Sequence, residues 1–125
     1  MQRVLLIVDD SDQLAATLEI ALSGLPNLRI ASVSDGAQAL GVLDTGAPVC
    51  ALVTDLNMPR MDGFELIRRV RADGKLARIP IVAVSGDTDP RTPSRVRELG
   101  ADAFFAKPFS PAQLRDALGR LTGWI

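Results

Sequence analysis

Five consecutive apolar residues, Val4-Leu5-Leu6-Ile7-Val8, run directly into Asp9-Asp10, and a second run, Cys50-Ala51-Leu52-Val53-Thr54, stops at Asp55. A β-favouring run without polar alternation predicts a strand covered on both faces, as in a parallel sheet flanked by helices. The carboxyl ends of such strands border the crevice where open α/β sheets bind ligands. Three carboxylates gathered there repel one another, and burial among like charges would neutralise some of them. A hard, oxygen-seeking cation such as Mg²⁺ stabilises the ionised forms instead. The two runs therefore predict a divalent-metal pocket.

The rest of the chain alternates between strand and helix patterns. Leu14, Leu18, Leu22 and Leu25 keep one helical face, with Asp12 as the expected cap, which predicts a first helix over residues 12–23. Leu28 to Val33 reads as a second strand, and Ser34-Asp35-Gly36 leads to a second helix carrying Ala37, Leu40 and Leu43, ended near Gly46 and Pro48. The loop Leu56-Asn57-Met58-Pro59-Arg60-Met61 cannot be helical up to its proline. Asp62-Gly63 then opens a third helix bearing Phe64, Leu66, Ile67 and Val70. Strand four, Ile81 to Val84, ends at Ser85-Gly86, and the turn-rich segment that follows predicts a late fourth helix, capped by Thr92, started by Pro93 and finished near Leu99. Ala103-Phe104-Phe105-Ala106 is the fifth strand. Ser110-Pro111-Ala112-Gln113 reads as a capping box opening a last helix, with Leu114, Leu118 and Leu121 inward and an end near Gly123. Five β/α units joined by right-handed crossovers predict an α/β fold: a doubly wound, five-stranded parallel sheet. Its carboxyl edge presents Asp9, Asp10, Asp55, Ser85 and Lys107.

Composition removes several classes of function. With 125 residues the chain fits one domain, and a formal net charge of -1 gives no general attraction to nucleic acid or anionic lipid. The densest basic stretch, Arg68-Arg69-Val70-Arg71, reads as the solvated face of a helix. There is no histidine, so Ser–His and Cys–His pairs and imidazole ligation are excluded. The single cysteine, Cys50, cannot form a disulfide within the chain and suits a reduced, cytoplasmic setting. Neither a signal peptide nor a membrane span is predicted.

What remains is a crevice with three acids, a hydroxyl and a lysine. A carboxylate can attack activated phosphorus and hold the phosphoryl group as a mixed anhydride, provided the incoming negative charge is neutralised. Mg²⁺ and Lys107 meet that need. Lys107 is one of two lysines beside twelve arginines, and its compact ammonium contacts a phosphoryl oxygen as a point charge. Ser85 can donate a hydrogen bond to another phosphoryl oxygen.

The acidic pair Asp9-Asp10, the run Asp55-Leu56-Asn57-Met58-Pro59 with Asp62-Gly63, the Ser85-Gly86 strand end, and Gly100-Ala101-Asp102 leading to Phe104 and Lys107-Pro108-Phe109 occur in order and at matching intervals. In these features the chain resembles a response regulator receiver domain of two-component signalling, over essentially its whole length. The resemblance implies a flavodoxin-like (βα)5 fold, one receiver domain over residues 1–125, with Asp55 as phosphoacceptor. It further implies Mg²⁺ or Mn²⁺ held by Asp10, Asp55 and the backbone carbonyl of Asn57, with Asp9 acting through a metal-bound water. Ser85 is expected to move onto the phosphoryl group and Phe104 to swing into the space it leaves. The Lys107-Pro108 peptide bond is usually cis in such proteins. Phe105 must point away from Phe104 along the strand, so one of the two is expected to be buried and the other near the surface.

Since this family takes its phosphoryl group from phosphohistidine, a chain without histidine needs a histidine kinase or histidine phosphotransfer protein as donor. Helix one is the implied docking element, with Ala16 and Ile20 facing outward. Helix four, strand five and helix five are the implied contact surface for a downstream protein or a second copy of the chain. Met58 and Met61 are expected to pack, and Asp87 puts a further carboxylate near the phosphorylation site. Beyond self-catalysed transfer and slow autodephosphorylation, no enzymatic turnover is expected. The sequence stops at Trp124-Ile125 directly after the last helix, which leaves no output module, and the expectation is either a stand-alone receiver, which the leading Met1-Gln2-Arg3 favours, or a piece of a hybrid kinase or longer regulator. Two alternatives rank behind. An aspartate-nucleophile, Mg²⁺-dependent phosphatase commonly has a second acid two residues after the nucleophile, where this chain has Asn57. A flavodoxin-like cofactor protein needs a Ser/Thr-rich phosphate loop where Asp9-Asp10 would repel the phosphate.

Overall fold

The computed structural model describes residues 2–123; Met1, Trp124 and Ile125, and with them the expectation drawn from the two ends, lie outside the described residues. The elements alternate as β1 (Arg3–Val8), α1 (Gln13–Ala21), β2 (Leu28–Val33), α2 (Gly36–Asp44), β3 (Val49–Asp55), α3 (Gly63–Ala72), β4 (Ile81–Ser85), α4 (Thr92–Leu99), β5 (Ala103–Ala106) and α5 (Pro111–Thr122). The five strands form one parallel sheet in the order β2-β1-β3-β4-β5. The chain leaves β1 toward β2 on one side and returns with β3 on the other. This reversal makes β1 and β3 neighbours and opens a crevice between their carboxyl ends.

Alternation along buried strands sends successive side chains to opposite faces. Leu6, Val8, Leu52 and Ala83 pack with Ala39, Leu43, Leu66, Ile67, Val70 and Val96, so α2, α3 and α4 cover one face. Leu5, Ile7, Ala51, Val53, Val82 and Val84 pack with Leu14, Leu18, Leu22, Leu114 and Leu118, so α1 and α5 cover the other. Being covered on both sides is why β1, β3 and β4 carry apolar runs. Val4 pairs with Val49 and Leu5 with Ala51, so the register slips by one residue at Cys50.

Several local expectations are corrected. Asp12 occupies the cap position of α1 in a helical conformation and its side chain caps nothing; Ser11 Oγ instead accepts the Gln13 N–H at 3.2 Å. Leu25 lies beyond the end of α1, although it still packs on the same core. Ala37 is exposed, and the buried face of α2 runs through Gly36, Ala39 and Leu43. Thr92 is the first residue of α4 rather than its cap; its hydroxyl donates to Asp87 Oδ2 at 3.0 Å. Leu121 is exposed, and α5 buries Leu114, Ala117, Leu118 and Gly119, because a periodic stripe gives the direction of a face but not where the partner surface stops. At Ser110 the side chain accepts the Gln113 N–H at 3.3 Å, as a helix cap should. Among the described residues no helix is long and apolar enough to cross a membrane.

Candidate functional site

The strand register decides what meets at the carboxyl edge. Val8 pairs with Thr54, which sets Asp9 and Asp55 level, and Asp55 pairs with Val84, one residue before Ser85. Ser85 in turn pairs with Ala106, and the Lys107 N–H donates to the Ser85 carbonyl at 2.8 Å. Four strand ends thus deliver their polar residues to one place. Carboxylate oxygens of Asp9, Asp10 and Asp55 all lie within 4.8 Å of one another. Lys107 Nζ stands 3.4 Å from Asp55 Oδ2 and 3.5 Å from Asp9 Oδ2. The Lys107-Pro108 peptide bond is cis.

Each acid has a different environment. Asp10 is exposed, whereas Asp9 and Asp55 are buried. Burial pushes the Asp9 carboxyl above its usual range, against the pull of the Ser11 N–H and of Lys107, while the Asp55 charge adds to the rise. Asp55 Oδ1 accepts the Leu56 N–H at 2.8 Å, which leaves Oδ2 toward Lys107. An all-oxygen donor set of three acids is the type that hard divalent cations take, and a cation there would relieve the cost of burying Asp9 beside Asp55. These residues fit Mg²⁺ or Mn²⁺.

Ser85 is fully buried, and its Oγ accepts from the Asp87 N–H at 2.9 Å and from Asn57 Nδ2 at 3.4 Å. The Asp87 carboxylate is committed elsewhere, accepting the Asp89 N–H and the Thr92 hydroxyl at 2.8 and 3.0 Å. Phe104 and Phe105 are both half-buried, on opposite faces, because each core reaches the β5 edge; the expected split into one buried and one near-surface ring does not occur. Met58 and Met61 pack at the margin of the core beneath α2 and α3. Ala16 and Ile20 are exposed on α1, Ile20 at 79 %. Close by, a cavity of about 430 Å³ is lined by residues that include Asp9, Gln13, Leu14, Thr17, Lys107 and Phe109.

Three features were not anticipated from residue pattern. Gly63 packs so tightly that a Cβ there would strike the Asp55 carbonyl and the Leu56 backbone. Arg60, inside the β3–α3 loop, pairs with buried Asp35 at the start of α2. Arg71 departs from the solvated reading of its stretch: Arg68 and Arg69 do lie exposed beside Glu65, but Arg71 turns inward to backbone carbonyls. Only the Gly63 position carried a local hint, following a capping aspartate; Arg60 reaches Asp35 across 25 residues and Arg71 reaches the Gly100 carbonyl across 29.

Comparison with known proteins places this geometry. The chain is 32% identical over 119 residues to the chemotaxis protein CheY1 of Helicobacter pylori, covering 95% of this chain and 96% of that protein. Among solved structures, the signal receiver domain of a signal transduction histidine kinase from Syntrophus aciditrophicus superposes with a TM-score of 0.86 at 30% identity, covering 100% of this chain and 92% of that one. The receiver domain of the sensor histidine kinase PA1611 from Pseudomonas aeruginosa, solved with a magnesium ion coordinated in its active site cleft, gives 0.82 at 29% identity, with 98% of each chain covered. The family model for the response regulator receiver domain matches residues 5–119, from within β1 to within α5, and with the sheet order and the converging strand ends it establishes that this chain belongs to the response regulator receiver domain family.

Proposed function

We propose that the chain accepts a phosphoryl group on Asp55 from a phosphohistidine donor and thereby switches a partner-binding surface, with residues 1–125 acting as one unit. The observation that carries this reading is the convergence of three carboxylates and Lys107 at one strand edge. Asp9, Asp10, Asp55 and the backbone carbonyl of Asn57 are the residues that would hold Mg²⁺ or Mn²⁺. When bound, the cation draws negative charge from the phosphoryl oxygens. A magnesium ion in the cleft of the Pseudomonas receiver supports this assignment.

Asp55 Oδ1 already holds the Leu56 N–H, so Oδ2 is the attacking oxygen. As its bond to phosphorus forms, the P–N bond of the donor breaks, and the electron pair leaves with the imidazole, which takes up a proton. Lys107, now shared between two acids, meets the charge of the transferred group. Ser85 Oγ acts as acceptor in both of its side-chain contacts, which leaves its own hydrogen for a phosphoryl oxygen once it turns. Phe104 pairs with Ala83, two residues before Ser85 on β4, and is the ring placed to follow that turn.

The donor, a histidine kinase or phosphotransfer protein, docks along α1 against Ala16 and Ile20, and α4, β5 and α5 present the altered surface to a downstream protein or a second copy. The role is that of a cytoplasmic signalling module, without turnover of an external substrate and without direct binding to nucleic acid or membrane. Incubation with acetyl phosphate and Mg²⁺ followed by intact mass measurement tests it. One phosphoryl group per chain is expected, absent without Mg²⁺ and absent in Asp55→Asn. Multiple turnovers on small phosphate esters would instead favour an aspartate-nucleophile phosphatase.

A further inference from the structure

The β3–α3 loop carries Asn57, whose side chain reaches Ser85 and whose carbonyl is proposed above as a metal ligand, yet the loop's own strand and helix do not account for its shape. Arg60 sits at φ 65°, in the left-handed region that a non-glycine residue enters only when its surroundings require it. Those surroundings belong to α2. Arg60 Nε and Nη2 both lie 2.6 Å from Asp35 Oδ2, and the Asp35 side chain is 1% exposed. Asp35 Oδ1 accepts the Gln38 N–H at 2.9 Å, so one carboxylate caps α2 and grips the loop at once. One residue on, the Met61 carbonyl accepts the Gly36 N–H at 3.1 Å, and the Met61 side chain covers Gly36 so closely that a Cβ there would lie 2.8 Å from Cγ.

We propose that Arg60 and Asp35 are positioning residues for the phosphorylation site: their ion pair clamps the β3–α3 loop to the amino end of α2 and so holds Asn57 where the metal and Ser85 need it. Neither side chain is among the proposed ligands. The clamp acts through the backbone, because Arg60 lies three residues from Asn57 and an unclamped loop has further conformations to lose on taking up the cation. Outer partners that fix a ligand's orientation are a general determinant of metal affinity. The inference rests on the metal reading given above.

The test is Mg²⁺ affinity, read by isothermal titration calorimetry on the full chain at a temperature where every variant is folded. Arg60→Gln keeps most of the stem and removes the charge. Asp35→Asn keeps an acceptor for the Gln38 N–H and with it the α2 cap. Each is expected to weaken Mg²⁺ binding about tenfold, the lower end for an outer partner of a metal site. The double variant should be no weaker than the worse single one, since two halves of one clamp do not add. Arg60→Lys should recover part of the loss, a rescue that an unrelated structural role for the arginine stem would not predict. If the parent binds Mg²⁺ and Arg60→Gln binds it equally well, the clamp has no positioning role, whatever Asp35→Asn does. A parent chain that takes up neither Mg²⁺ nor a phosphoryl group would overturn the functional reading itself.

Discussion

The two edges of the sheet use their cations in opposite ways. At the amino edge, Arg71 is largely buried and donates to the Gly100, Ala77 and Ile79 carbonyls and to Asp102 Oδ2, at 2.7 to 3.0 Å. The same Asp102 oxygen accepts the Ile81 N–H at 2.8 Å, so α3, the following loop, β4 and β5 are fastened at one point. At the carboxyl edge, Lys107 is divided between Asp55 and Asp9 at 3.4 and 3.5 Å. Charge-assisted bonds normally close to about 2.7–2.9 Å. One edge is saturated with short bonds that have nothing to gain from a new charge. The other keeps an excess of acid and a loosely held cation, so an incoming metal or phosphoryl group finds interactions still to be made. The short, saturated bonds thus lie away from the proposed phosphorylation site.

The sharpest break in this contrast would come from substituting the two cations in parallel. Arg71→Ala strands three part-buried carbonyls and the Asp102 carboxylate and is expected to cost about 3 kcal/mol in urea unfolding, with phosphoryl uptake retained while the chain stays folded. Lys107→Ala should cost less than about 1 kcal/mol yet impair phosphoryl uptake from acetyl phosphate. Equal losses of stability in the two variants would remove the distinction.

Gly63→Ala tests how rigid the carboxyl edge is beneath its acids. The added methyl meets the Asp55 and Leu56 backbone rather than a flexible side chain, so a loss of about 2 kcal/mol is expected, with slower uptake on Asp55. A neutral result would mean that this edge yields.

Asp9→Asn should act in the opposite sense. Removing one of two neighbouring buried acids is expected to stabilise the metal-free chain by about 1 kcal/mol at neutral pH. Mg²⁺ should then raise the melting temperature of the parent more than that of the variant, and calorimetry with and without a chelator reads both effects.

The smallest effect concerns Asp35. The Gln38 N–H, and after it Arg60, hold its carboxyl below the usual 3.8. A lowered folded-state value means that the unfolded chain binds the proton more tightly, so this contribution to stability is present above that pH and is lost as the pH falls further. Asp35→Asn should flatten the acid limb of a stability profile below the ordinary carboxylate range, and an unchanged limb would show that the pair contributes little in solution.

Residue order alone determined the strands, their buried character, the alternation with helices and the candidacy of Asp9, Asp10, Asp55, Ser85 and Lys107. Apolar runs, turn formers and caps are local signals, and each of these residues closes a run that announces itself. The same locality explains the errors: Asp12 and Thr92 have the right chemistry for caps, but the path of the adjoining backbone hands that work to Ser11 or to another bond. Only the tertiary structure decided that β1 lies beside β3, with Val8 opposite Thr54, the step that turns separate acids into one cluster. It also chose which arginines are structural. Arg60 and Arg71 look like any surface arginine in the chain, and Asp35, Gly100 and Asp102, which fasten them to other elements, lie 25 to 31 residues away. A guanidinium carries no local mark of the carboxylate or carbonyl it will meet, because long-range pairing is settled by how helices and loops pack on the sheet.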